Sequence, residues 1–298
     1  MITELAPIAL FVYNRVEHTR ETVEALKRNT LAKESDLFIF SDGPKTGQEE
    51  NVQRVRNYIN EINGFRNIVI TKRDKNLGLA NSIIFGVTDI VNKYGKIIVL
   101  EDDLVCSPDF LQYMNKALEQ YKYISKVFSI TGYSYLNDEE SETIPDTYFL
   151  KMPSSWSWGT WKNRWTYFDP DAIGYKKMIW DRKLRSEFNY DDTYDYYSML
   201  KSQMKRNVPT FIPKITRKKH IDSWAIKWYW SVFKQNGLTL FPKKSFVKNI
   251  GWDGSGIHCD SRAEMSRQND GRIYDGYAYE SIIEEKKWIR ELVKGRIG

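Results

Sequence analysis

The sequence predicts an α/β fold: a central, mostly parallel sheet with helices on both faces. Three observations predict it. Short apolar runs alternate four times with stretches whose apolar residues recur at helical spacing. The last of these runs, Lys96-Ile97-Ile98-Val99-Leu100, is wholly apolar after its lysine and ends in three consecutive carboxylates, Glu101-Asp102-Asp103; such a run suits a parallel strand covered on both faces. Polar residues also gather after the earlier runs, at Asn14-Arg15, Asp42 and Arg73-Asp74, and open α/β sheets bind ligands at the carboxyl ends of their strands.

In chain order, Pro7 to Tyr13 reads as a buried strand, followed by a helix from about Thr19 to Arg28 with Thr19 as its N-cap. Asp36 to Phe40 is a second strand, closed by Ser41-Asp42-Gly43-Pro44. Gln48 to Ile62 carries Val52, Val55, Ile59 and Ile62 on one helical face, and Asn67 to Thr71 is a third strand. Leu79 to Val91 aligns Ala80, Ile83, Ile84, Val87 and Val91, and the strand ending at the carboxylates follows. Asp109 to Tyr121 is an amphipathic helix and Val127 to Thr131 a further strand. Asn137 to Asp146 reads as a polar loop, Asp169 to Asn207 as mostly helical. A helix from Asp222 or Ser223 to Asn236 stops at Gly237. Tyr279 to Lys294 is an amphipathic basic helix that packs on the domain or touches anionic lipid. The 298 residues read as a single domain, with residues 1–131 as one half and 132–298 as the other.

A hydrophobic fraction of 41% with 28% charged residues is ordinary for a soluble globular chain. No apolar run has the length of a membrane span, and Met1-Ile2-Thr3-Glu4 does not begin a signal peptide. Two cysteines, Cys106 and Cys259, make no disulfide framework, so a reduced cytoplasmic setting is expected, with peripheral contact at the inner membrane face as a variant of it. A net charge of +6 points to an anionic partner: nucleic acid, a membrane surface or a phosphorylated substrate. Nucleic acid is disfavoured, because the basic residues are dispersed among 39 acids and no binding motif occurs. GxGxxG is absent after the first strand, and so is GxxxxGK[ST]; phosphates would then be held by a metal and basic side chains. Three adjacent carboxylates repel one another unless a cation joins them, and hard divalent ions take carboxylate oxygens and bridge phosphates. The triplet reads as a metal site holding a diphosphate, or as a solvated acidic loop ahead of Pro108.

Taken together, Tyr13-Asn14-Arg15, Ser41-Asp42-Gly43, Asn76-Leu77-Gly78-Leu79 and Glu101-Asp102-Asp103-Leu104 with Ser107-Pro108-Asp109-Phe110 resemble a GT-A-fold, nucleotide-sugar-dependent glycosyltransferase. The similarity is greatest to the N-acetylglucosaminyltransferase I-like group and to bacterial capsule and O-antigen sugar transferases. It covers about the first 130 residues well and the later chain in patches. The resemblance implies that Asp103 binds the metal, Mn²⁺ or Mg²⁺, while Asp102 meets the ribose and Glu101 a hydroxyl of the donor sugar. Asp42 would contact the base, and Arg15 would lie near the nucleotide. It also implies a nucleoside-diphosphate donor, expected to be a UDP-sugar, and a glycan acceptor hydroxyl, in one form lipid-linked.

Later segments extend this reading. In Ser157-Trp158-Gly159-Thr160-Trp161, the indoles Trp158 and Trp161 are either part of a buried helical stripe with Trp165 or a wall against the acceptor. The family has a similar Trp-Gly-Thr-Trp stretch, which favours the wall. Asp222 in Asp222-Ser223-Trp224 is either a helix N-cap or, as the family's Asp-Asp-Trp implies, the general base of an inverting reaction; Ser223 stands where the family has its second acid. His258, in the glycine-punctuated stretch Asn249 to Cys259, matches a late histidine that the family places on the metal or diphosphate, and an imidazole favours Mn²⁺. Arg217-Lys218-Lys219 reads as solvated charge, or as a cluster that meets a diphosphate or a membrane. The rival readings are a sugar nucleotidyltransferase, a glycosidase, and a catalytically silent glycan-binding module on the same fold.

Overall fold

The computed structural model describes residues 4–204, 223–251, 272–273 and 277–297. Asp222, His258, Cys259 and Arg217-Lys218-Lys219 lie outside the described residues.

The alternation in the first half forms as expected. β1 (Ile8–Val12), α1 (Val16–Lys27), β2 (Asp36–Ser41), α2 (Glu49–Asn60), β3 (Asn67–Lys72), α3 (Leu79–Tyr94) and β4 (Lys96–Glu101) follow in order. Then come β5 (Leu104–Cys106), α4 (Phe110–Gln120), β6 (Val127–Thr131), α5 (Asp138–Ser141), β7 (Thr147–Leu150), β8 (Trp158–Trp161) and α6 (Lys162–Trp165). The rest comprises α7 (Arg182–Phe188), α8 (Tyr196–Met204), α9 (Trp224–Lys234), β9 (Leu238–Pro242), β10 (Val247–Asn249) and α10 (Lys287–Ile297).

Eight strands make one sheet in the order β3-β2-β1-β4-β8-β6-β9-β7. The block β3-β2-β1-β4 is parallel, β8 and β7 run against their neighbours, and β6 and β9 are parallel. Because strand side chains alternate between faces, β1 feeds two cores. Ile8, Leu10 and Val12 pack with α1, α2 and α4; Ala9 and Phe11 pack with α3 and α9. This is the three-layer α/β arrangement, and it carries the ends of β1, β2 and β4 to one edge. A third core lies between β7, β9 and helices α7 to α10.

Several local expectations are corrected. Helix α1 begins three residues before Thr19, with Arg15 as its N-cap residue, and Thr19 Oγ1 donates to the Arg15 carbonyl at 2.8 Å. The β1–α1 connection is therefore too short to leave Thr19 at the start. Residues 137–146 are not all loop: Asn137 caps α5 through a capping box with Glu140. Asn236, with φ +49°, takes the left-handed position after α9. Gly237 follows it and is required by closeness, since a Cβ there would stand 2.6 Å from Phe128. The C-terminal helix starts at Lys287 and packs, burying Ile289 and Val293 in the third core. No helix among the described residues is long and apolar enough to cross a membrane.

Candidate active site

The acidic triplet sits where the topology wants a site, at the carboxyl end of β4 next to β1. Its three side chains have different surroundings. Asp102 is buried and ties β4 to β1: it accepts from the Tyr13 backbone N–H at 3.4 Å and from the Arg15 guanidinium. Asp103 accepts from the same Arg15 Nη2 at 2.8 Å, and its Oδ1 has no hydrogen bond among the described residues. Glu101, partly buried, has no hydrogen-bond partner among them. Burial, reinforced by the charges of Asp103 and Asp102, pushes the Glu101 carboxyl up to about 8. Burial likewise raises Asp102, with Arg15 pulling the other way. Burial also opposes the Arg15 charge, yet Asp102 and Asp103 together hold the guanidinium above its ordinary value. Arg15 is thus the internal cation of the acidic tip. Its Nη1 is buried and has no partner among the described residues, which leaves one donor aimed into the site.

Asp42, at the end of β2, is also buried. Its carboxylate accepts from the backbone N–H of Gly43 at 3.0 Å, Leu77 at 3.0 and 3.2 Å, and Gly78 at 2.9 Å. Asn76 Nδ2 donates to the Gly43 carbonyl at 2.7 Å, and a Cβ on Gly43 would stand 2.4 Å from the Lys75 backbone. The loop before α3 is therefore clamped onto the loop after β2. Three backbone N–H groups thus converge on the Asp42 carboxylate, that of Leu77 shared between both oxygens. Asp42 thereby fixes the rim of the site. Asp102 in turn is held by Arg15 and by the Tyr13 N–H.

From the far end of the chain, β10 pairs antiparallel with β5, matching Asn249 to Leu104. The Ile250 N–H donates to the Asp103 carbonyl at 2.9 Å. Gly251 lies against the site itself: a Cβ there would stand 2.4 Å from Asp103 Oδ2 and 3.1 Å from Arg15 Nη1. Only glycine leaves that space open. The segment beginning at Asn249, on which the sequence places His258, therefore starts at the metal-ligand candidate. Among the described residues no three His, Cys, Asp or Glu side chains converge as metal ligands. The donor chemistry fits a hard divalent ion all the same: Asp103 has a carboxylate oxygen in hand, in a cradle that a methyl group would fill.

The family model described as "Glycosyl transferase family 2" matches residues 8–183, more than half of the chain. The chain belongs to glycosyl transferase family 2. Its fold is of the GT-A type, a central mostly parallel sheet flanked by helices. No curated protein matches it closely enough to add to this. Among solved structures, it is similar to a mannosyltransferase, PcManGT from Pyrobaculum calidifontis in complex with GDP-Man and Mn²⁺, at 10% identity and a TM-score of 0.37, over 54% of this chain and 46% of that one. It is also similar to S. aureus TarS, at 11% identity and a TM-score of 0.30, over 42% of this chain and 21% of that one. The chain thus spans less than half the length of these solved structures.

The wall of indoles expected at Trp158 and Trp161 is not a wall. Trp158 and Trp161 lie on β8, between β4 and β6, and are 0% and 3% exposed. Trp158 stacks on Trp224 with centroids 5.0 Å apart, and Trp161 Nε1 donates to the Leu118 carbonyl at 3.0 Å. Gly159 admits the Ile97 carbonyl and Met114, not a ligand. Both acceptor assignments are corrected to core packing. Sequence reasoning missed Tyr13, whose hydroxyl donates to Gln48 at 2.6 Å and accepts from the Lys45 N–H at 3.0 Å, and Thr22, which donates to the Asp102 carbonyl at 2.9 Å. The signal for Tyr13 was its place one residue past β1. Thr22 gave none, since a buried helical threonine looks like any other.

Proposed function

We propose that this enzyme transfers a sugar from a nucleoside-diphosphate donor, expected to be a UDP-sugar, to a hydroxyl of a glycan acceptor, with inversion, in bacterial surface polysaccharide assembly. The observation that carries the reading is the convergence of Asp103, Arg15 and Gly251 at the carboxyl end of β4. Asp103 would hold Mn²⁺ or Mg²⁺, with His258 as the second protein ligand. Bound there, the ion supplies Lewis-acid stabilisation of charge on the departing diphosphate. Arg15, with its spare Nη1 donor, meets the nucleotide or its diphosphate. Glu101, which has no hydrogen-bond partner among the described residues, meets a donor-sugar hydroxyl. Asp42 meets the base and Asp102 the ribose, while their bonds to the loops and to Arg15 hold the frame. Residues 1–131 form the donor half and 132–298 the acceptor half of one domain.

Asp222 is the general base of this scheme. The acceptor oxygen forms its bond to the anomeric carbon as the bond to the diphosphate oxygen breaks. The electron pair leaves with the diphosphate, and the proton passes to Asp222. Ser223 supports this, because it caps α9 by accepting from the Ile226 N–H at 3.4 Å and relieves Asp222 of that task.

Two variants test the scheme by calorimetry and by product formation. Asp103→Ala is expected to abolish Mn²⁺-dependent binding of nucleoside-diphosphate sugar; unchanged affinity removes the metal assignment. Asp222→Asn is expected to keep donor binding and lower turnover by at least about 10²-fold. Transfer at the parent rate would put the base elsewhere.

A further inference from the structure

A surface that the donor site does not use lies between α6 and α7. Ile173 is 73% exposed, Ile179 42% and Trp180 87%. The same stretch carries Lys176, Lys177, Arg182 and Lys183, all exposed, and none makes an ion pair among the described residues. The nearby acids are Asp169, Asp171, Asp181 and Glu187; Asp169 is paired with Lys234, and Asp181 is engaged as the N-cap of α7. The turn is firmly seated. Ala172 and Met178 are fully buried in the third core, and Trp230 Nε1 donates to the Ile173 carbonyl at 3.2 Å. Ile173, Ile179 and Trp180, each next to one of these anchors or one residue beyond it, are therefore held out in water by a fixed backbone.

Indole sits well at the headgroup level of a bilayer, with its apolar ring inward and its N–H toward water. Lysine and arginine beside it complement anionic lipid and can snorkel their charges to the phosphates. A protein partner fits less well, since lysine is depleted at such interfaces. Nucleic acid fits less well too, because isoleucine offers no ring for a base to stack on. We propose that residues 173–183 dock this enzyme on an anionic membrane surface, with Trp180 and Ile173 entering the headgroup layer and Lys176, Lys177, Arg182 and Lys183 meeting lipid phosphates. The inference does not depend on the donor or on the general base.

Vesicle flotation of the full chain tests it. Binding is expected to phosphatidylcholine vesicles that contain phosphatidylglycerol, and to be much weaker to phosphatidylcholine alone. Each of Lys176→Gln and Lys177→Gln should lower the partition coefficient roughly fivefold, from about 1 kcal/mol per basic residue near the surface. Trp180→Ala should lower it further with the unfolding midpoint unchanged. Failure to float with anionic vesicles overturns the proposal, and so does flotation that ignores all three substitutions. Binding to duplex DNA that matches vesicle binding and survives Trp180→Ala would overturn it in favour of a general polyanion site.

Discussion

Arg15 decides whether the acidic tip can exist in the folded chain. It bridges Asp102 and Asp103 from a largely buried position, with its side chain 19% exposed against 6% and 17% for the two acids. Arg15→Ala is expected to destabilise the protein by about 3–5 kcal/mol, the usual cost of leaving a buried charge without its partner. Urea unfolding measures this, and a loss under about 1 kcal/mol would show that water or side-chain rearrangement replaces the guanidinium. The repulsion within Glu101-Asp102-Asp103 was legible in the sequence, and so was the need for a cation. That an internal arginine supplies one was not, because Arg15 is close to Asp102 only once β1 and β4 pair side by side. Asp42 was legible as a polar residue at a strand end. Its work as a clamp was not, since its partners are backbone N–H groups of residues 77 and 78, to which composition is blind.

At the scale of elements, the parallel block was readable because each of its strands is a short apolar run flanked by helical periodicity. β8 was not. Its four residues are too few to show alternation, and Trp158, Trp161 and Trp165 recur three and four apart as in a helix. The chain in fact changes from strand to helix between Trp161 and Lys162. Trp158 fills the space between the sheet and α9, so Trp158→Ala should cost about 3–5 kcal/mol, as for other large core residues. Chemical denaturation reads this directly. A raised acceptor KM at unchanged stability would instead restore the idea of a wall. Helix starts were misread by a few residues for a similar reason: at α1 tertiary placement, not a Ser/Thr cap, sets the first turn.

On the scale of the whole molecule, the C-terminal segment is held down by charge as well as by Ile289 and Val293. Arg290 pairs with Glu285 at 2.5 Å and Asp191 at 3.0 Å, Arg296 with Glu140 at 2.8 Å, and Lys286 with Glu280 at 2.5 Å. Burial works to raise Glu280 and Asp191, but Lys286 in one case and Arg290 with Lys294 in the other outweigh it, so both carboxyls lie below their ordinary values. A carboxyl depressed by folding adds stability that is present above its unfolded value and lost as pH falls through its folded one. Below about pH 4 the segment should therefore loosen before the parallel block does. Amide hydrogen exchange along α10 at pH 7 and pH 3 checks this; equal protection at both would show that apolar packing alone suffices. The ribbon of β5 and β10 has a different bearing, on how the protein is made. It joins Leu104 to Asn249, so the floor beneath Asp103 is laid by chain synthesised some 145 residues after it, the difference of those two positions. A ribosome that has delivered the whole parallel block has still not delivered the ribbon that backs Asp103. The acidic tip stays without its backing until Ile250 and Gly251 have emerged to lie against Asp103.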